Sequence, residues 1–397
     1  MQISDLGEFG LIERIRSQIA SYGPDVVVGI GDDVAVLKPT EGRLLLVTCD
    51  IQVEGVHFRR DWITPYQLGR KAVAINVSDI AAKGGSPQHL LISLSLPGDT
   101  SVEFVDELYR GLQDEARRAG ATIVGGNMAR SLSGAIVDVT LLGEVEPDHL
   151  LLRSGARIGD RVLVTGSLGQ SAAGLALLLH PEMRVAEKEA QDVLMAHLTP
   201  TPRLQEGRVI GGTRAATAML DISDGLANDI GHICEMSKVG VHIDGGRLPI
   251  SEATIAVAAQ VGQDPLRMAL FGGEDYELLF TAPIDRAQQL ALAVERETGT
   301  TVTDVGEIVA LSEGRTLVLP NGVVVPLVQS AVANVVNALA DGATLFVSAV
   351  EAAALSVAGV LAIKPATTTI NGVQADFVPT QFQTVRTSVG TVTVSLY

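Results

Sequence analysis

The sequence has 397 residues, with 29 Lys and Arg against 46 Asp and Glu and 47% hydrophobic residues, which is enough for two domains. The net charge of −17 argues against a nucleic-acid-binding protein, because such proteins set clustered Lys and Arg against the phosphate backbone. The two cysteines are too few for a disulfide framework. These numbers favour an enzyme of a reducing compartment, the cytoplasm.

The first 150 residues alternate strand-like and helix-like segments, which is the pattern of a mixed α/β domain. The N-terminal 20 residues read as an amphipathic helix without a targeting segment. Apolar runs then predict strands at residues 26–30, 44–48, 90–96 and 135–142, and helices at residues 65–83 and 101–119.

A second α/β unit is predicted for residues 151–327, opening with the polar segment RSGARIGD. Strand patterns occur at residues 161–165, 218–222, 241–243 and 277–281, and helices are predicted from Ser171 and over residues 224–237. The segment TLVLPNGVVVPL predicts a hairpin that turns at Asn321-Gly322. The predicted fold class is therefore α/β, of mixed α+β character, with two domains.

Residues 328–397 form an unmatched tail of low charge. Ala- and Val-rich sequence gives way to alternating Thr and Val around Asn371-Gly372, which predicts a small β unit. Residues 343–363 are apolar enough to consider as a membrane span, but Glu351 near their middle disfavours one.

Asp residues recur beside Gly at the ends of apolar runs. The motifs are GIGDDVAVL, TCDIQVEGVHF, NVSDIAAKGG, LDISDGLANDI and FGGEDYELLF, which carry Asp32, Asp33, Asp50, Asp79, Asp221, Asp224, Asp229, Glu274 and Asp275. Crowded carboxylates repel one another unless divalent cations neutralise them. Oxygen donors without a Cys–His set favour Mg²⁺ over Zn²⁺, and Mg²⁺ commonly binds substrate phosphates. The motifs thus indicate phosphoryl transfer on a scaffold without a Walker A or protein-kinase signature.

Each motif also has a plain structural interpretation. A single Gly-Asp-Asp is most often a turn, and Ser223-Asp224 before a helix is typical of an N-cap. His57 taken alone is typical of a core histidine. Gly125-Gly126-Asn127 suits a tight strand-to-helix turn as well as a phosphate, and Arg153 suits either a linker or a phosphate contact.

The order of the motifs, together with GEFGLIERI, VGGNMAR and LTPTPR, resembles thiamine-monophosphate kinase. This family belongs to the superfamily of aminoimidazole ribonucleotide synthetase, selenophosphate synthetase and a hydrogenase maturation factor. The match extends from about Gly7 to Leu327. It implies the two-domain fold of that superfamily, with an N-terminal domain (residues 1–150) that binds ATP and Mg²⁺ and forms a homodimer. It also implies direct transfer of the γ-phosphoryl group of ATP to thiamine monophosphate, in thiamine diphosphate biosynthesis.

The resemblance implies three sets of site residues in this sequence. The metal ligands would be Asp33, Thr48, Cys49, Asp50, Asp79, Asn127, Asp221 and Asp224. ATP would contact Tyr109, Gly126, Asn127, Arg153 and Ser223. Thiamine monophosphate would contact His57 and Glu274.

Three departures from the family pattern bear on activity. Asn127 stands where the family usually has Asp, which removes one formal charge from a metal site. Lys83 replaces a common Met and adds a cation near the phosphates. The closing aromatic segment that covers thiamine in the family does not follow Leu327, so either Phe271 or Phe58 stacks on the ring, or turnover is impaired.

Two other functions stay open on the sequence alone. One is a superfamily enzyme that phosphorylates a different small acceptor. The other is a non-catalytic nucleotide-binding homologue, which Asn127 and the unmatched tail favour.

Overall fold

A computed structural model describes residues 2–19, 22–30, 34–327, 368–370 and 373–375. Its elements confirm the mixed α/β class. The four-stranded sheet lies within residues 44–145 and the seven-stranded sheet within residues 160–326, so the two sheets fall on either side of residues 146–159.

The N-terminal sheet has the strand order β3-β6-β4-β5. Its strands are β3 (Leu44–Val53), β4 (Ser86–Leu96), β5 (Thr122–Arg130) and β6 (Ile136–Val145). The β4–β5 pair is parallel, whereas β3–β6 and β4–β6 are antiparallel. Before this sheet come helix α1 (Ile3–Gln18) and the short antiparallel pair β1 (Val26–Val28) and β2 (Val36–Leu37).

Helices α2 (Pro65–Ala81) and α3 (Val102–Ala119) share one hydrophobic core with this sheet. Helix α2 begins where Thr64 accepts a hydrogen bond from the Gln67 backbone N–H, with Pro65 in the first turn. The two helices cross closely, because a Cβ added at Gly111 would lie 2.0 Å from the Tyr66 carbonyl oxygen. Glycine at this crossing therefore holds α2 against α3.

The C-terminal sheet has the strand order β13-β12-β9-β11-β7-β10-β8. Its strands are β7 (Asp160–Thr165), β8 (Ala218–Asp221), β9 (Gly240–Asp244), β10 (Leu278–Pro283), β11 (Val302–Val309), β12 (Arg315–Val318) and β13 (Val324–Pro326). The helices are α4 (Gln170–Leu179), α5 (Glu187–Leu198), α6 (Leu204–Thr213), α7 (Leu226–Ser237), α8 (Glu252–Val261), α9 (Pro265–Phe271) and α10 (Ile284–Thr298). Strands β12 and β13 pair antiparallel, which confirms the predicted hairpin.

Two predictions from the sequence need correction. Strand β3 continues to Val53, so Asp50 lies inside the strand and not at its end. Residues 125–127 are not a turn but part of β5, paired with residues 91–93 of β4. A Cβ at Gly126 would lie 1.9 Å from the Ile92 carbonyl oxygen, so this glycine permits the close approach of the two strands.

The described part of the tail consists of β14 (Thr368–Ile370) and β15 (Val373–Ala375), which pair antiparallel. Residues 343–363, considered above as a membrane span, lie outside the described residues. No helix in the part of the chain that the structure describes is long and apolar enough to cross a membrane.

Candidate active site

Helix α2 joins the two halves of the molecule at the candidate site. The Ser78 hydroxyl donates a hydrogen bond of 2.6 Å to Asp221 at the end of β8. Just beyond the helix, the Lys83 ammonium donates to the Met219 carbonyl oxygen at 3.3 Å. The helix also packs closely on α6, where a Cβ at Gly207 would lie 2.2 Å from the Ala81 carbonyl oxygen. Side chains on α2 are thereby fixed relative to the C-terminal sheet.

The structure brings together four of the predicted carboxylates. Asp79 of α2 accepts a hydrogen bond from the Thr48 hydroxyl of β3. Burial, and then the negative charges of Asp79, Asp138 and Asp224, raise the pKa of Asp50 to about 6. Burial and Asp79 also raise the pKa of Asp221. Asp50, Asp79, Asp221 and Asp224 therefore share one region of negative potential, which a bound cation would relieve.

Asp138 of β6 adds to the negative potential at Asp50 from the other face of the sheet, and it was not predicted from the sequence. Its carboxylate accepts a hydrogen bond of 3.1 Å from the Cys49 thiol. Strand register places Asp138 and Asn127 on either side of Ser93. The available signal was an acidic residue inside the apolar run at residues 135–142. Its significance depended on the register, which the sequence alone did not supply.

Strand alternation divides the predicted ligands of β3 between two faces of the sheet. Thr48 and Asp50 share the face toward α2, whereas Cys49 points to the other face, with Asp138. The candidate ligands thus surround an edge strand of the four-stranded sheet.

The donor set suits a metal ion that binds together with phosphate. Among residues 2–19, 22–30 and 34–327, no three His, Cys, Asp or Glu side chains are grouped so that they alone hold a metal ion. Mg²⁺ usually takes one or two carboxylates and completes its shell with water and substrate phosphates, so neighbouring carboxylates that form no closed cage suit it. The predicted ligand Asp33 lies outside the described residues.

Two basic residues accompany the carboxylates. Burial lowers the pKa of Lys83, the Asp221 and Asp79 carboxylates oppose that effect, and the charge of Arg153 adds to it. Lys83 is therefore close to both carboxylates and to the exposed Arg153. The substitution of Lys for the common Met places a cation among the acids rather than on the open surface.

The loop after β8 is shaped by Asp229. Its carboxylate accepts hydrogen bonds from the backbone N–H groups of Ser223 (3.1 Å) and Asp224 (3.0 Å). Burial is the main cause that raises the pKa of Asp229 to about 8. Helix α7 begins at Leu226 behind Gly225, without a side-chain cap, so the interpretation of Ser223-Asp224 as an N-cap is wrong.

Glu274 lies in a second polar cluster, with Lys71, His197 and Ser171. Its backbone has φ +66°, an uncommon conformation for a residue with a side chain, and its N–H donates to the Ser223 carbonyl oxygen at 2.8 Å. Glu274 Oε2 lies 3.1 Å from Lys71 Nζ and 3.3 Å from His197 Nδ1. Neither Lys71 nor His197 was predicted from the sequence.

Ser171, His197 and Glu274 do not form a nucleophilic triad. Ser171 Oγ lies 2.9 Å from His197 Nδ1, the same nitrogen that faces Glu274. A Ser–His–acid relay needs both ring nitrogens, one for the hydroxyl and one for the acid. Ser171 is also buried. The cluster therefore holds Glu274 in place rather than activating a nucleophile.

The lowered pKa of His197 predicts that the stability of the protein depends on pH. Burial, and then the charge of Lys71, lower the pKa of His197 to about 4, although Glu274 opposes the shift. A lowered folded-state pKa gives stability that is complete above pH 6.5 and is lost as the pH falls. Between pH 7 and pH 4 the free energy of unfolding should fall by about 3 kcal/mol more in the wild type than in His197→Gln. Chemical denaturation at both pH values measures this difference, and parallel profiles of the two proteins would contradict it.

The remaining predicted contacts lie on several elements. His57 is exposed after β3, where its Nδ1 accepts a hydrogen bond of 3.1 Å from the Val53 N–H, so it is not a core histidine. Gly126 and Asn127 are exposed on β5. Tyr109 is 5% exposed within the N-terminal core, and burial raises its pKa. No hydrogen bond among the described residues joins Tyr109 or His57 to the carboxylates, so their roles stay predictions.

A cavity of about 980 Å³ lies between α1 and the ends of β3, β4 and β5. Its lining includes Leu11, Glu54, Arg60 and Arg130. None of the predicted site residues within the described chain lines it, so the candidate site is the carboxylate region and not this cavity.

Comparison with known proteins agrees with this arrangement. The N-terminal domain of AIR synthase related proteins matches residues 31–145, and the C-terminal domain matches residues 157–318. Thiamine-monophosphate kinase of Aquifex aeolicus is 42% identical over 286 residues, which cover 72% of this chain and 89% of the relative. The Escherichia coli K12 enzyme is 38% identical over 309 residues, which cover 78% of this chain and 92% of the relative. The chain belongs to the thiamine-monophosphate kinase family.

Solved structures of thiamine-monophosphate kinases share the fold. The Stenotrophomonas maltophilia enzyme superposes with a TM-score of 0.70 at 33% identity, covering 79% of this chain and 96% of the other. AaThiL complexed with AMPPCP and TMP gives a TM-score of 0.63 at 38% identity, and the match covers 80% of this chain and 95% of the other. The hydrogenase maturation protein HypE in complex with ATP has a TM-score of 0.67 at only 19% identity, which shows the fold alone.

Proposed function

We propose that this chain transfers the γ-phosphoryl group of ATP to thiamine monophosphate, forming thiamine diphosphate and ADP. The observation that carries the proposal is the convergence of Asp50, Asp79, Asp221 and Asp224, from both halves of the molecule, beside helix α2. Kinases of this family at up to 42% identity support the reaction, as does a relative solved with an ATP analogue and TMP.

Mg²⁺ would be held by Asp50, Asp79, Asp221 and Asp224, with Thr48 as a weaker oxygen donor on the same face of β3. Cys49 and Asn127, the other two ligands that the resemblance implies, lie on the opposite face of the sheet. When bound, it would neutralise the charge that builds up on the phosphates during transfer. The chain itself supplies Lys83 close to Asp221 and Asp79, with Arg153 close to Lys83. Ser223, Gly126 and Asn127 would position the nucleotide, since all three lie on exposed or half-buried backbone.

The acceptor would lie between Glu274 and His57. A carboxylate suits the cationic ring of thiamine, and an imidazole suits its phosphate. Phe58 is 5% exposed within the N-terminal core, whereas Phe271 is partly buried at the end of α9, three residues before Glu274. Phe271 is therefore the better candidate for the ring that stacks on thiamine in place of the missing terminal aromatic.

Transfer of label tests the proposal directly. With γ-³²P-labelled ATP, thiamine monophosphate and Mg²⁺, labelled thiamine diphosphate should form, and chelation with EDTA should stop its formation. Label that moves only to another small acceptor would identify a different superfamily enzyme. Nucleotide binding without transfer to any acceptor would identify the non-catalytic homologue that Asn127 favours.

Asn127 gives a quantitative prediction about the metal. Asn127→Asp restores a negative charge to the exposed end of β5, so Mg²⁺ should bind more tightly. The Mg²⁺ concentration for half-maximal rate should fall by roughly threefold to tenfold, since one added charge contributes about 1 kcal/mol at an exposed site. A titration of rate against Mg²⁺ measures it, with Asn321→Asp in the exposed β12–β13 turn as the control. An unchanged or higher requirement would show that Asn127 is not near the metal.

A homodimer would use the open face of the four-stranded sheet. Leu45, Val47 and Ile51 alternate along β3 and are 67%, 62% and 46% exposed. An apolar stripe of this kind on a sheet face is typical of an interface. Sedimentation should give twice the chain mass of 41.5 kDa, and Val47→Lys should shift the protein toward the monomer. A wild-type monomer would contradict this proposal.

The cytoplasmic location stays a prediction from the sequence.

A further inference from the structure

We infer that Lys71 is a positioning residue that fixes the Glu274 carboxylate for the cationic ring of the acceptor. The inference rests on the proposed function and extends it to a residue that does not touch the substrate. It concerns one contact between helix α2 and the loop before β10, across the junction of the two halves of the molecule.

The Lys71–Glu274 pair is asymmetric in burial. The Lys71 side chain is 1% exposed, whereas the Glu274 side chain is 28% exposed. A lysine this deeply buried is costly unless its charge is paired, and Glu274 Oε2 is the one hydrogen-bond partner of its ammonium within the described chain. The exposed member of the pair is thus held by a buried one, so the carboxylate stays at the surface of the site in a fixed position.

His197 does not compete with Lys71 for this role. Its pKa of about 4 leaves the imidazole neutral at pH 7, so Lys71 supplies the positive charge next to Glu274. Both groups face Oε2. No hydrogen bond in the described part of the chain engages Oε1, which leaves that oxygen available to a cation.

The same helix sets the distance between the two ends of the site. Lys71 and Asp79 are eight residues apart on α2, which corresponds to about 12 Å along the helix axis. Asp79 marks the region of the metal and phosphates, and Lys71 marks the position of Glu274. One helix therefore sets the distance between Glu274, which faces the ring, and the metal ligand Asp79, which lies near the phosphates. This spacing suits an elongated acceptor with a cationic ring at one end.

The ion pair holds the side chain of a residue whose backbone is itself in an uncommon conformation. A non-glycine residue at φ +66° is held only where its surroundings compensate, and the hydrogen bond from its N–H to Ser223 fixes the backbone alone. The side chain needs a second anchor, which Lys71 provides. Without it, the carboxylate would turn toward water.

The test compares Lys71→Met, Glu274→Gln and the double variant in steady-state kinetics. Each single variant should raise KM for thiamine monophosphate by roughly tenfold or more, because a displaced group loses its orienting effect. KM for ATP should stay within a factor of two, and the double variant should be no worse than Glu274→Gln. Lys188→Met, on the exposed side of α5, is the matched control. Lys71→Gln, which keeps a hydrogen-bond donor, should lie between the wild type and Lys71→Met and serves if the methionine variant does not fold.

A second readout separates positioning from a general structural role. The deaza analogue of thiamine monophosphate carries an uncharged ring, so the wild type should prefer the natural acceptor, and Lys71→Met should lose most of that preference. Unchanged KM and preference in Lys71→Met, multiplicative effects in the double variant, or equal losses for ATP and the acceptor would overturn the inference alone. A wild-type enzyme that does not phosphorylate thiamine monophosphate would overturn the proposed function and the inference with it.

Discussion

Asp50→Asn should reduce kcat for phosphoryl transfer by about 100-fold or more, because it removes a metal-binding charge where phosphate charge is stabilised. Burial, and then the charges of Asp79, Asp138 and Asp224, raise the pKa of Asp50 to about 6. The amide is nearly the same size as the carboxylate, so the fold should be unchanged. Rates at saturating ATP and Mg²⁺ measure the effect.

The control for Asp50→Asn is Asp192→Asn, at an exposed position on α5, which carries none of the proposed metal ligands. This variant should have the wild-type rate. If Asp50→Asn keeps more than a tenth of the wild-type rate, Asp50 does not hold the metal. Asp79→Ala should behave like Asp50→Asn, because Asp79 is the carboxylate that Thr48 orients.

Arg203→Met should lower the free energy of unfolding by about 3–5 kcal/mol, because it leaves a buried carboxylate without its partner. Arg203 Nε and Nη2 each donate to Glu277 at 2.6 Å, and the Thr165 hydroxyl donates to the same carboxylate at 2.6 Å. The Glu277 side chain is 6% exposed. Glu277 follows the loop of Glu274, so this network supports the acceptor side of the site.

Denaturant unfolding of Arg203→Met at pH 7 measures that loss. Arg296→Met is the control, since within the described residues Arg296 pairs at the surface with its neighbour Glu297 alone, and its removal should change nothing measurable. Equal stability of the two variants would show that the Glu277 network does not stabilise the fold. A double variant, Arg203→Met with Glu277→Leu, should recover part of the stability, because no buried charge is then left unpaired.

Local sequence pattern predicted the parts of the site that lie at element ends. The motif NVSDIAAKGG placed Asp79 on a helix, and LDISDGLANDI placed Asp221 and Asp224 at a strand-to-helix turn. Both assignments are confirmed, because hydrophobic periodicity and Gly mark such junctions reliably. Crowding of like charges then grouped these residues into one cation site, and the resemblance to a family assigned the individual ligands, which periodicity alone does not do.

Contacts between distant segments were not predictable in the same way. Lys71 looks like an ordinary helix residue, and only the packing of α2 against the C-terminal half buries it beside Glu274. His197 lies on α5, a helix that was not predicted. Asp138 acquires its role from strand register. In each case the information lies in pairing across the chain rather than in a local window.

The interpretation of Gly125-Gly126-Asn127 as a turn was wrong for a physical reason. Adjacent glycines usually mark turns because they tolerate unusual backbone conformations. Here Gly126 is needed for close strand approach, since any side chain would collide with the Ile92 carbonyl oxygen of β4. The extended backbone also exposes Asn127 at the surface of the sheet, where it remains available to a ligand.

Calorimetric titration with a non-hydrolysable ATP analogue, with and without Mg²⁺, tests most directly whether the carboxylates gather around metal-bound nucleotide. The wild type should bind the analogue tightly with Mg²⁺ and at least about tenfold more weakly in EDTA, because the triphosphate would then face uncompensated carboxylates. Asp50→Asn should reduce the dependence on Mg²⁺. Equal affinity of the wild type in both conditions would contradict the account.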